Sequence, residues 1–350
     1  MNKVVKKVAA VALSALMVGG IFAGCSSNSN DKKAVDKDTY NVGICQLTQH
    51  DALDNATKGF KDKLNELAKA DGKTINFDYQ NASNDSATCA TIVNKFVSSN
   101  YDLILANATP ALQAAATATA ASKIPVIGTS VTDYGTALDI EMDPTGSTGI
   151  NVTGTSDLAP LADQAKMILD LFPDAKTVGA IYCSAEANSQ YQVDGVKKAL
   201  EAKGVKCNFY TFADSNDISS VAKKAAKESD VIYIPTDNTA ADNGGIIDAA
   251  CTEAGVPIIA GEEGIFNKTN AVATLSISFY EIGEKAGAMA YEILTKGTDP
   301  ATMNIQQAEN LTYYYNKDQA NKFKAHIPEN YQAYDCLLYT SPSPRDRTRS

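Results

Sequence analysis

The chain contains no tryptophan, only two histidines (His50 and His326) and, outside its last six residues, no arginine. Nearly the whole chain therefore lacks the guanidinium fork that clamps carboxylates and phosphates in a bidentate manner. No CxxC or Cys/His spacing typical of a zinc site is present. No glycine-rich phosphate-binding loop follows a predicted strand, and no G-x-S-x-G nucleophile motif occurs. The sequence predicts neither an enzyme nor a metal or cofactor site.

Positive charge is also scarce, since the formal net charge is −10. Without the two ends considered below, 25 lysines face 40 acidic residues, which gives −15. No basic stripe exists, so we do not expect nucleic acid as a partner. The internal cysteines are scattered and odd in number, which favours buried free thiols, although one disulfide remains possible in an exported chain. These cysteines are Cys45, Cys89, Cys183, Cys207 and Cys251.

The N-terminus has the layout of an export signal, with three early lysines, an apolar run from Val8 to Phe22, and Ala23-Gly24 before Cys25. The run is short for a membrane-spanning helix of about 20 residues, which is the alternative interpretation. The segment from residue 21 to Cys25 resembles a bacterial lipobox, with Phe22 where leucine is usual. We therefore expect a lipoprotein signal peptide at residues 1–24, lipidation of Cys25, a tether at residues 25–38 and anchoring to the bacterial cell membrane.

The C-terminal segment 336–350 has an unusual composition. All three arginines of the chain, Arg345, Arg347 and Arg349, lie in it, whereas the other 28 basic residues are lysines. The segment shows neither a helical nor a strand period. We interpret it as non-native sequence, with a natural basic tail as the alternative, and leave it out of the fold argument.

Between the ends, short apolar segments alternate with amphipathic ones, which predicts parallel strands covered by helices on both faces. We expect strands at residues 40–47, 74–79, 103–106, 125–128, 178–182, 206–212, 231–234, 257–260, 272–277 and 303–314. We expect helices at residues 51–69, 86–98, 110–122, 161–172, 188–202, 217–228, 242–254, 280–294 and 317–324. Residues 133–147 are predicted to form a loop.

The pattern runs twice, which predicts an α/β fold of two doubly wound parallel-sheet lobes joined by a hinge. The first lobe is expected at residues 39–155 plus about 278–305. The second lobe is expected at residues 156–277 plus about 306–335. Ligands of such sheets bind beyond the carboxyl ends of the strands, so we expect a cleft between the two lobes.

Polar loops follow most of the predicted strands. Each loop alone would be interpreted as a helix N-cap, but seven on the same side of the sheets favour a site for a polar ligand. From the first lobe the expected ligand contacts are Gln49, His50, Asn107, Thr109 and Ser130. From the second lobe they are Thr155, Ser156, Asn188, Ser189, Asp237 and Glu262.

Several of these loops carry a family resemblance. The segments are 42–50, 52–54, 58–60, 106–111, 151–157, 186–189 and 235–239. In this order they are similar to the motifs of the tryptophan/tyrosine-type substrate-binding lipoproteins of ABC transporters, which have a periplasmic binding protein type I-like fold. Where that family usually has Gly-x-Asp-Tyr-Tyr, this chain has Ser276-Ile277-Ser278-Phe279-Tyr280, so one acidic group is missing.

The resemblance implies capture of a small polar ligand, an aromatic or other amino acid, by hinge closure, and its delivery to a membrane permease. Without arginine, we expect the ligand carboxylate at Asn188-Ser189 and Thr155-Ser156, close to helix N-termini. Asp237 or Glu262 would then bind the ammonium group. The alternatives are a sugar or nucleoside binder of the same fold, a ligand-sensing surface receptor, or an enzyme using the Asp237 and Glu262 carboxylates.

Overall fold

Two β-sheets form within residues 37–334, which are the residues that this computed structural model describes. The predicted signal peptide, the Cys25 lipidation site, most of the tether and the segment 336–350 lie outside these residues. No helix within residues 37–334 is long and apolar enough to cross a membrane.

The first sheet is built from short, mostly apolar strands. They are β1 (Thr39–Gln46), β2 (Thr74–Asn81), β3 (Leu103–Asn107), β4 (Val126–Val131), β5 (Val152–Ser156) and β11 (Gln306–Gln307). In the described part of the chain these six strands lie in the order β2-β1-β3-β4-β5-β11, and every neighbouring pair is parallel. We call this sheet and its covering helices the first lobe.

The second sheet repeats this arrangement. Its strands are β6 (Thr177–Cys183), β7 (Lys206–Phe212), β8 (Val231–Ile234), β9 (Ile258–Ala260), β10 (Ala273–Ile277), β12 (Leu311–Tyr315) and β13 (Gln332–Ala333). Across residues 177–333 their order is β7-β6-β8-β9-β10-β12-β13, with β12 antiparallel to β10. We call this sheet and its helices the second lobe.

Helices connect the parallel strands and cover both sheets. In the first lobe they are α1 (Asp51–Ala70), α2 (Ser86–Ser98), α3 (Thr109–Thr119) and α4 (Tyr134–Leu138). In the second lobe they are α5 (Leu161–Leu171), α6 (Ala187–Glu201), α7 (Ile218–Glu228), α8 (Asn238–Asp242), α9 (Gly244–Ala254) and α10 (Glu263–Lys268). Near the end of the chain follow α11 (Phe279–Lys296), a 3₁₀ turn (Pro300–Thr302) and α12 (Lys317–Phe323).

Apolar side chains from the strands and helices form a core on each face of the first sheet. Cys45, Phe96 and Leu112 pack on one face. Phe60 packs with Leu105 on the other face, under α11. A Cβ atom at Gly283 of α11 would lie 2.1 Å from the Ala56 carbonyl oxygen of α1, so glycine permits this close packing of the two helices.

The chain passes between the lobes at the segments 157–160, 277–279 and 308–310 of the described structure. Because α11 packs against α1, the chain returns to the first lobe after β10 and stays there until β11 pairs with β5. It then enters the second lobe again as β12. Three connections of this kind form a hinge between two otherwise separate sheets.

The sequence-based assignment of secondary structure differs from the structure at short elements. The predicted loop 133–147 contains the helix α4, and α8 and α10 lie where no separate helices were predicted. The predicted strand 303–314 is divided, because β11 pairs in the first lobe and β12 in the second. Five- and six-residue helices do not show a full apolar period, so their capping contacts decide their formation.

Candidate functional site

A small cavity lies between the carboxyl ends of the two sheets, and its free volume is about 10 Å³. Both lobes line it, with His50, Ala52, Leu53 and Ser130 on one side and Asn188, Thr236, Asp237, Asn238, Ala241 and Glu262 on the other. Asp157 and Phe279, which lie at two of the connections between the lobes, complete the lining. A free volume of this size holds about one water molecule, so a larger ligand enters only when the lobes part.

A backbone irregularity in β4 directs Ser130 into the cavity. The register between β4 and β5 shifts between Gly128 and Val131, and Ser130 has a φ angle of 54°. A positive φ is unfavourable for serine, and such strain is concentrated at functional sites. The Ser130 Oγ atom is buried and has no hydrogen-bond partner among the described residues. This hydroxyl group is therefore available to a ligand.

Two paired glycines hold the neighbouring end of β5. Gly154 is opposite Gly128 in the sheet, and a Cβ atom on Gly154 would lie 2.0 Å from the Gly128 carbonyl oxygen. The Tyr134 hydroxyl packs against the same place and donates a hydrogen bond to the Thr155 carbonyl oxygen at 3.2 Å. This arrangement fixes the end of β5 and the residues that follow it.

The N-terminus of the 20-residue helix α1 meets the first-lobe side of the cavity. Its N-cap residue, His50, has extended backbone angles, and its side chain does not cap the helix. The first-turn residues Ala52 and Leu53 line the cavity. Uncapped amides at a helix N-terminus favour an anion, both through the N–H groups and through the helix dipole.

Buried polar side chains hold this first turn of α1 in place. Asn107, at the end of β3, donates hydrogen bonds to the Leu53 carbonyl oxygen at 2.8 Å and to Thr57 at 2.9 Å. Gln46, at the end of β1, donates to Asp54 at 2.6 Å and accepts from Thr57 at 2.6 Å. The N-terminus of α1 is thus tied to the ends of two strands.

Carboxylates dominate the second-lobe side of the cavity. Asp237 caps α8 and accepts hydrogen bonds from the amides of Ala240 at 2.7 Å and Cys183 at 2.6 Å and from the Ser189 hydroxyl at 2.8 Å. Glu262 caps α10 through the amides of Gly264 and Ile265, at 2.5 Å and 2.6 Å. Both groups therefore have a structural role in addition to their position at the cavity.

Asp157 is the least engaged carboxylate of the cavity. It is buried, and among the described residues it accepts one side-chain hydrogen bond, from the Thr132 hydroxyl at 3.0 Å. Burial, with a further contribution from the nearby Glu262 carboxylate, raises the pKa of Asp157 to about 7. A buried acid with few partners and a raised pKa in a cavity is a candidate functional group.

Burial also raises the pKa values of the two capping carboxyl groups. For Asp237 the pKa lies well above its ordinary value, because burial and the nearby Glu186 both disfavour the charge. Burial raises the pKa of Glu262 as well, although His50 partly opposes this shift. No lysine or arginine within residues 37–334 lines the cavity, so its electrostatics favour a cationic group on the ligand.

The structure places the sequence-predicted ligand contacts in two groups. His50, Ser130, Asn188, Asp237 and Glu262 line the cavity. His50 Nδ1 and Asn188 Oδ1 are buried without a hydrogen-bond partner in the described part of the chain, as is Ser130 Oγ. These three polar atoms are therefore available to bind a polar ligand.

The other predicted contacts lie next to the cavity or away from it. Thr155 donates to Thr129 at 3.0 Å, Ser156 to the Thr132 carbonyl oxygen at 2.8 Å, and Ser189 to Asp237, so these hydroxyl protons are already used. Asn107 fixes α1, Thr109 is buried in the first turn of α3, and Gln49 is exposed on an outer groove.

Sequence reasoning missed Asp157, Asn238 and the apolar part of the lining. Asp157 directly follows the predicted Ser156, so its place after a strand was a usable signal. The apolar lining consists of Ala52, Leu53, Ala241 and Phe279. These residue types occur throughout the core, and no sequence pattern distinguishes those that face a cavity.

Hydrogen bonds join the lobes around the cavity. Thr48 donates to Asp242 at 2.9 Å, and Asn84 donates to Thr239 at 3.1 Å. Gln192 donates to Thr132 at 3.2 Å. His50 Nε2 lies 3.4 Å from the Asn238 side-chain oxygen. The structure is therefore a closed form, in which the cavity is shut off between the lobes.

Two doubly wound lobes that close over a polar cavity at their strand ends define the class of hinged, small-molecule-binding proteins. The family of ABC transporter substrate binding proteins matches residues 41–335. The chain belongs to this family, which confirms the two-lobed fold and the family predicted from the sequence.

Three individual relatives are similar to this chain over most of its length. A "Tyrosine-binding protein" of Clostridioides difficile is 36% identical over 298 residues, which cover 83% of this chain and 84% of the relative. A Streptococcus pneumoniae structure in complex with L-Trp is 29% identical, with a TM-score of 0.76, over 83% of this chain and 99% of the other. A substrate binding protein with adhesive properties from Clostridium difficile is 33% identical, with a TM-score of 0.64, over 84% and 99%.

The two solved structures differ in ligand state. The Clostridium difficile structure is ligand-free and open, and it superimposes less well on this chain than the L-Trp complex does, despite its higher sequence identity. Over the whole chain, this protein is more similar in structure to the ligand-bound relative than to the open one. The comparison agrees with the hydrogen bonds that join the lobes.

Proposed function

We propose that the chain captures a free aromatic amino acid outside the cytoplasm and delivers it to the permease of an ABC importer. The observation that carries the proposal is the closed cavity, in which an uncapped helix N-terminus, buried carboxylates and an apolar wall come together. An aromatic amino acid has one complementary group for each of these features. Tyrosine- and tryptophan-binding relatives support the ligand class.

The ligand carboxylate binds at the N-terminus of α1 in this proposal. The amides of Ala52 and Leu53 and the Ser130 hydroxyl are the donors that this part of the cavity offers. The hydroxyl groups of Thr155, Ser156 and Ser189, expected from the sequence to bind the carboxylate, donate to protein acceptors instead. The preferred position for the carboxylate is therefore on the first lobe.

The ligand ammonium group pairs with Asp157. Among the carboxylates of the cavity, Asp237 and Glu262 already accept amide hydrogen bonds as N-caps, whereas Asp157 accepts one hydroxyl hydrogen bond. A bond between an ammonium group and a buried carboxylate is worth about 1.5–3 kcal/mol. Glu262 is close enough to Asp157 to affect its pKa, so it adds to the negative potential at the ammonium group.

The aromatic side chain packs on the apolar wall. Phe279, Leu53, Ala52 and Ala241 form this surface, and the lobes open wider than in this structure to admit a ring. Phe279 lies in the segment where the acidic family residue is missing, and there it starts α11 and is buried. A sugar or nucleoside would leave this apolar wall in contact with hydroxyl groups, so the wall favours the aromatic amino acid.

The absence of tryptophan from the chain provides a direct test. Free L-tryptophan is the only indole present, so its emission should shift to the blue and gain anisotropy when the protein is added. L-tyrosine and L-phenylalanine are tested by calorimetry and by thermal shift, because a binder raises the melting temperature. Binding of a sugar or nucleoside, with no response to any aromatic amino acid, would contradict the proposed ligand while retaining the role in import.

The protein is held at the membrane through a lipid on Cys25 in this proposal, with residues 1–24 removed. One acyl chain gives only marginal membrane binding, so more than one chain is expected. The Cys25→Ala variant should be released in soluble form. A Cys25→Ala variant that stays in the membrane with its N-terminus intact would show a spanning helix instead.

A sensor receptor of the same fold is the alternative to an importer component. Such a receptor would bind the ligand but would not support its uptake, and a transport assay distinguishes the two.

A further inference from the structure

Among the second-lobe helices that the structure describes, the five-residue helix α8 makes the most side-chain hydrogen bonds to the first lobe. Its residues Asn238, Thr239 and Asp242 are hydrogen-bonded to or close to His50, Asn84 and Thr48, respectively. These three first-lobe residues lie in two different loops, after β1 and after β2. We propose that α8 is a closure latch, in which Asp242 accepts a hydrogen bond from Thr48 and slows ligand release without touching the ligand.

The latch has two adjacent faces. Asn238 and Ala241 line the cavity, and Thr239 and Asp242 make the hydrogen bonds to the first lobe. Both pairs have the i, i+3 spacing that places side chains on one face of a helix. A shift of α8 caused by the ligand therefore also shifts the hydrogen-bonding groups, which couples ligand contact to closure.

Glu186 holds α8 in its position on the second lobe. Its buried carboxylate accepts hydrogen bonds from the amide and side-chain nitrogens of Asn238, at 3.0 Å and 2.8 Å. It also accepts from the amide and hydroxyl groups of Thr239, at 2.9 Å and 2.8 Å. Asp237 caps the same helix. An isolated five-residue helix would not form. Because two carboxylates fix α8 to the second lobe, its side chains are held in position to bond to the first lobe.

Thr48 and Asp242 do not line the cavity, so their hydrogen bond is separate from ligand contact. It joins groups in different lobes and is lost when the lobes part. A contact that forms after the ligand has entered stabilises the closed complex, and its loss acts mainly on the dissociation rate. The inference rests on the proposed function only for the identity of the probe, an aromatic amino acid.

The test compares variants of Thr48 and Asp242 with L-tryptophan as the probe in stopped-flow fluorescence. Thr48→Val keeps the shape and removes the donor, and it should raise the dissociation rate about 3- to 10-fold with an unchanged association rate, since the hydrogen bond is partly exposed. Thr48→Ser keeps the hydroxyl and should restore the wild-type rate. Asp242→Ala should match Thr48→Val, and the double variant should be no worse than either, because one interaction is removed.

The controls separate a latch from general destabilisation. Thr91→Val and Asp170→Ala remove hydrogen bonds that stay within one lobe, and both should leave the dissociation rate unchanged. The ligand-free melting temperature of Thr48→Val should equal that of the wild type. A wild-type dissociation rate in Thr48→Val, or additive effects of the two substitutions, would overturn the latch.

A second measurement keeps the latch testable if the proposed ligand is wrong. If the wild type binds no aromatic amino acid, the proposed function fails. The latch is then tested on ligand-free protein by the distance between spin labels at Lys69 on α1 and Lys224 on α7, two exposed positions in different lobes. A larger closed population in the wild type than in Thr48→Val supports the latch, and equal populations overturn it.

Discussion

The two walls of the cavity use helix N-termini in opposite ways. On the first-lobe wall, α1 begins at His50 without a side-chain cap, so its amides remain available. On the second-lobe wall, α8 and α10 begin at Asp237 and Glu262, whose carboxylates already occupy the amides. The first wall thus offers donors and the second offers negative charge. A ligand that has both a carboxylate and an ammonium group is oriented by this difference.

The difference also separates stability from binding. A carboxylate that caps a helix stabilises the folded protein whether or not a ligand is present. An uncapped helix end and a partnerless hydroxyl group, such as that of Ser130, contribute little to folding and become useful when a ligand arrives. Substitutions on the second wall should therefore act first on stability, and those on the first wall and at Asp157 should act first on affinity.

The largest effect is expected on the second wall. Asp237→Ala removes three hydrogen bonds and the cap of α8, so the free energy of unfolding should fall by about 2–4 kcal/mol. Asp133→Ala is the matched control, because Asp133 caps α4 through one amide, from Thr136, and should cost about 1 kcal/mol. Urea denaturation measures both variants. An equal loss of unfolding free energy in the two variants would show that Asp237 stabilises the protein no more than an ordinary helix cap does.

Asp157→Asn should show the opposite pattern. The asparagine retains an acceptor for Thr132 but cannot pair with an ammonium group, so affinity for an aromatic amino acid should fall about 10- to 100-fold. At pH 4, where the Asp157 carboxyl group is still protonated in the folded protein, the melting temperature without ligand should match that of the wild type. Asp143→Asn, in an exposed turn of the first lobe, is the control for charge and should bind as the wild type does. Calorimetry measures the affinity, and unchanged affinity in Asp157→Asn would assign the ammonium group to another residue.

The pH dependence of stability and affinity gives a second test of Asp157, since burial raises the pKa of this carboxyl group from 3.8 to about 7. The ligand-free folded state therefore binds this proton more tightly than the unfolded state does. Its contribution to stability is complete below pH 4 and is lost as the pH rises to about 7. Ligand affinity should change in the other direction, rising up to about tenfold per pH unit towards pH 7, because the ammonium group needs the ionised carboxylate.

The pH measurement is a comparison of wild type with Asp157→Asn between pH 5 and pH 8. Glu262 and Asp237 also have raised pKa values and face the same cavity, so the difference between the two proteins isolates Asp157. Thermal unfolding without ligand and calorimetry with ligand give the two curves. Parallel pH profiles for the two proteins would exclude Asp157 as the titrating group.

The smallest effect is expected at Ser130. Ser130→Ala removes one neutral donor to the ligand carboxylate, so affinity should fall about 3- to 10-fold. Because the Ser130 hydroxyl has no protein partner in the described structure, the melting temperature should stay the same. Ser122→Ala, next to α3 and away from the cavity, serves as the control. A loss of stability without a loss of affinity would place Ser130 in folding instead of binding.

The fold was largely predictable from the sequence, and its local departures have specific causes. Alternation of apolar strands and amphipathic helices indicated the parallel strands of both sheets, because such strands must be covered on both faces. The division of the predicted strand 303–314 could not be predicted. Gln306 and Gln307 pair with β5, while the following β12 runs antiparallel to β10, and no local pattern reports a change of sheet.

The site was predictable at the level of loops and less so at the level of side chains. Strand ends pointed to loops that line the cavity in the structure, as His50, Ser130 and Asn188 show. Within a loop, neighbouring residues point in different directions. Asn188 faces the cavity while Ser189, about 100° further round α6, binds Asp237, and Ser156 turns to the Thr132 carbonyl oxygen while Asp157 lines the cavity. Only the folded backbone decides between such neighbours.

The course of the chain through the two sheets has a practical consequence. The described part starts next to β1 of the first lobe and ends next to β13 of the second, so its two ends lie in different lobes. A fluorescent donor and acceptor fused at these ends would convert hinge closure into a change in energy transfer. The protein would then serve as a scaffold for an optical sensor of its own ligand.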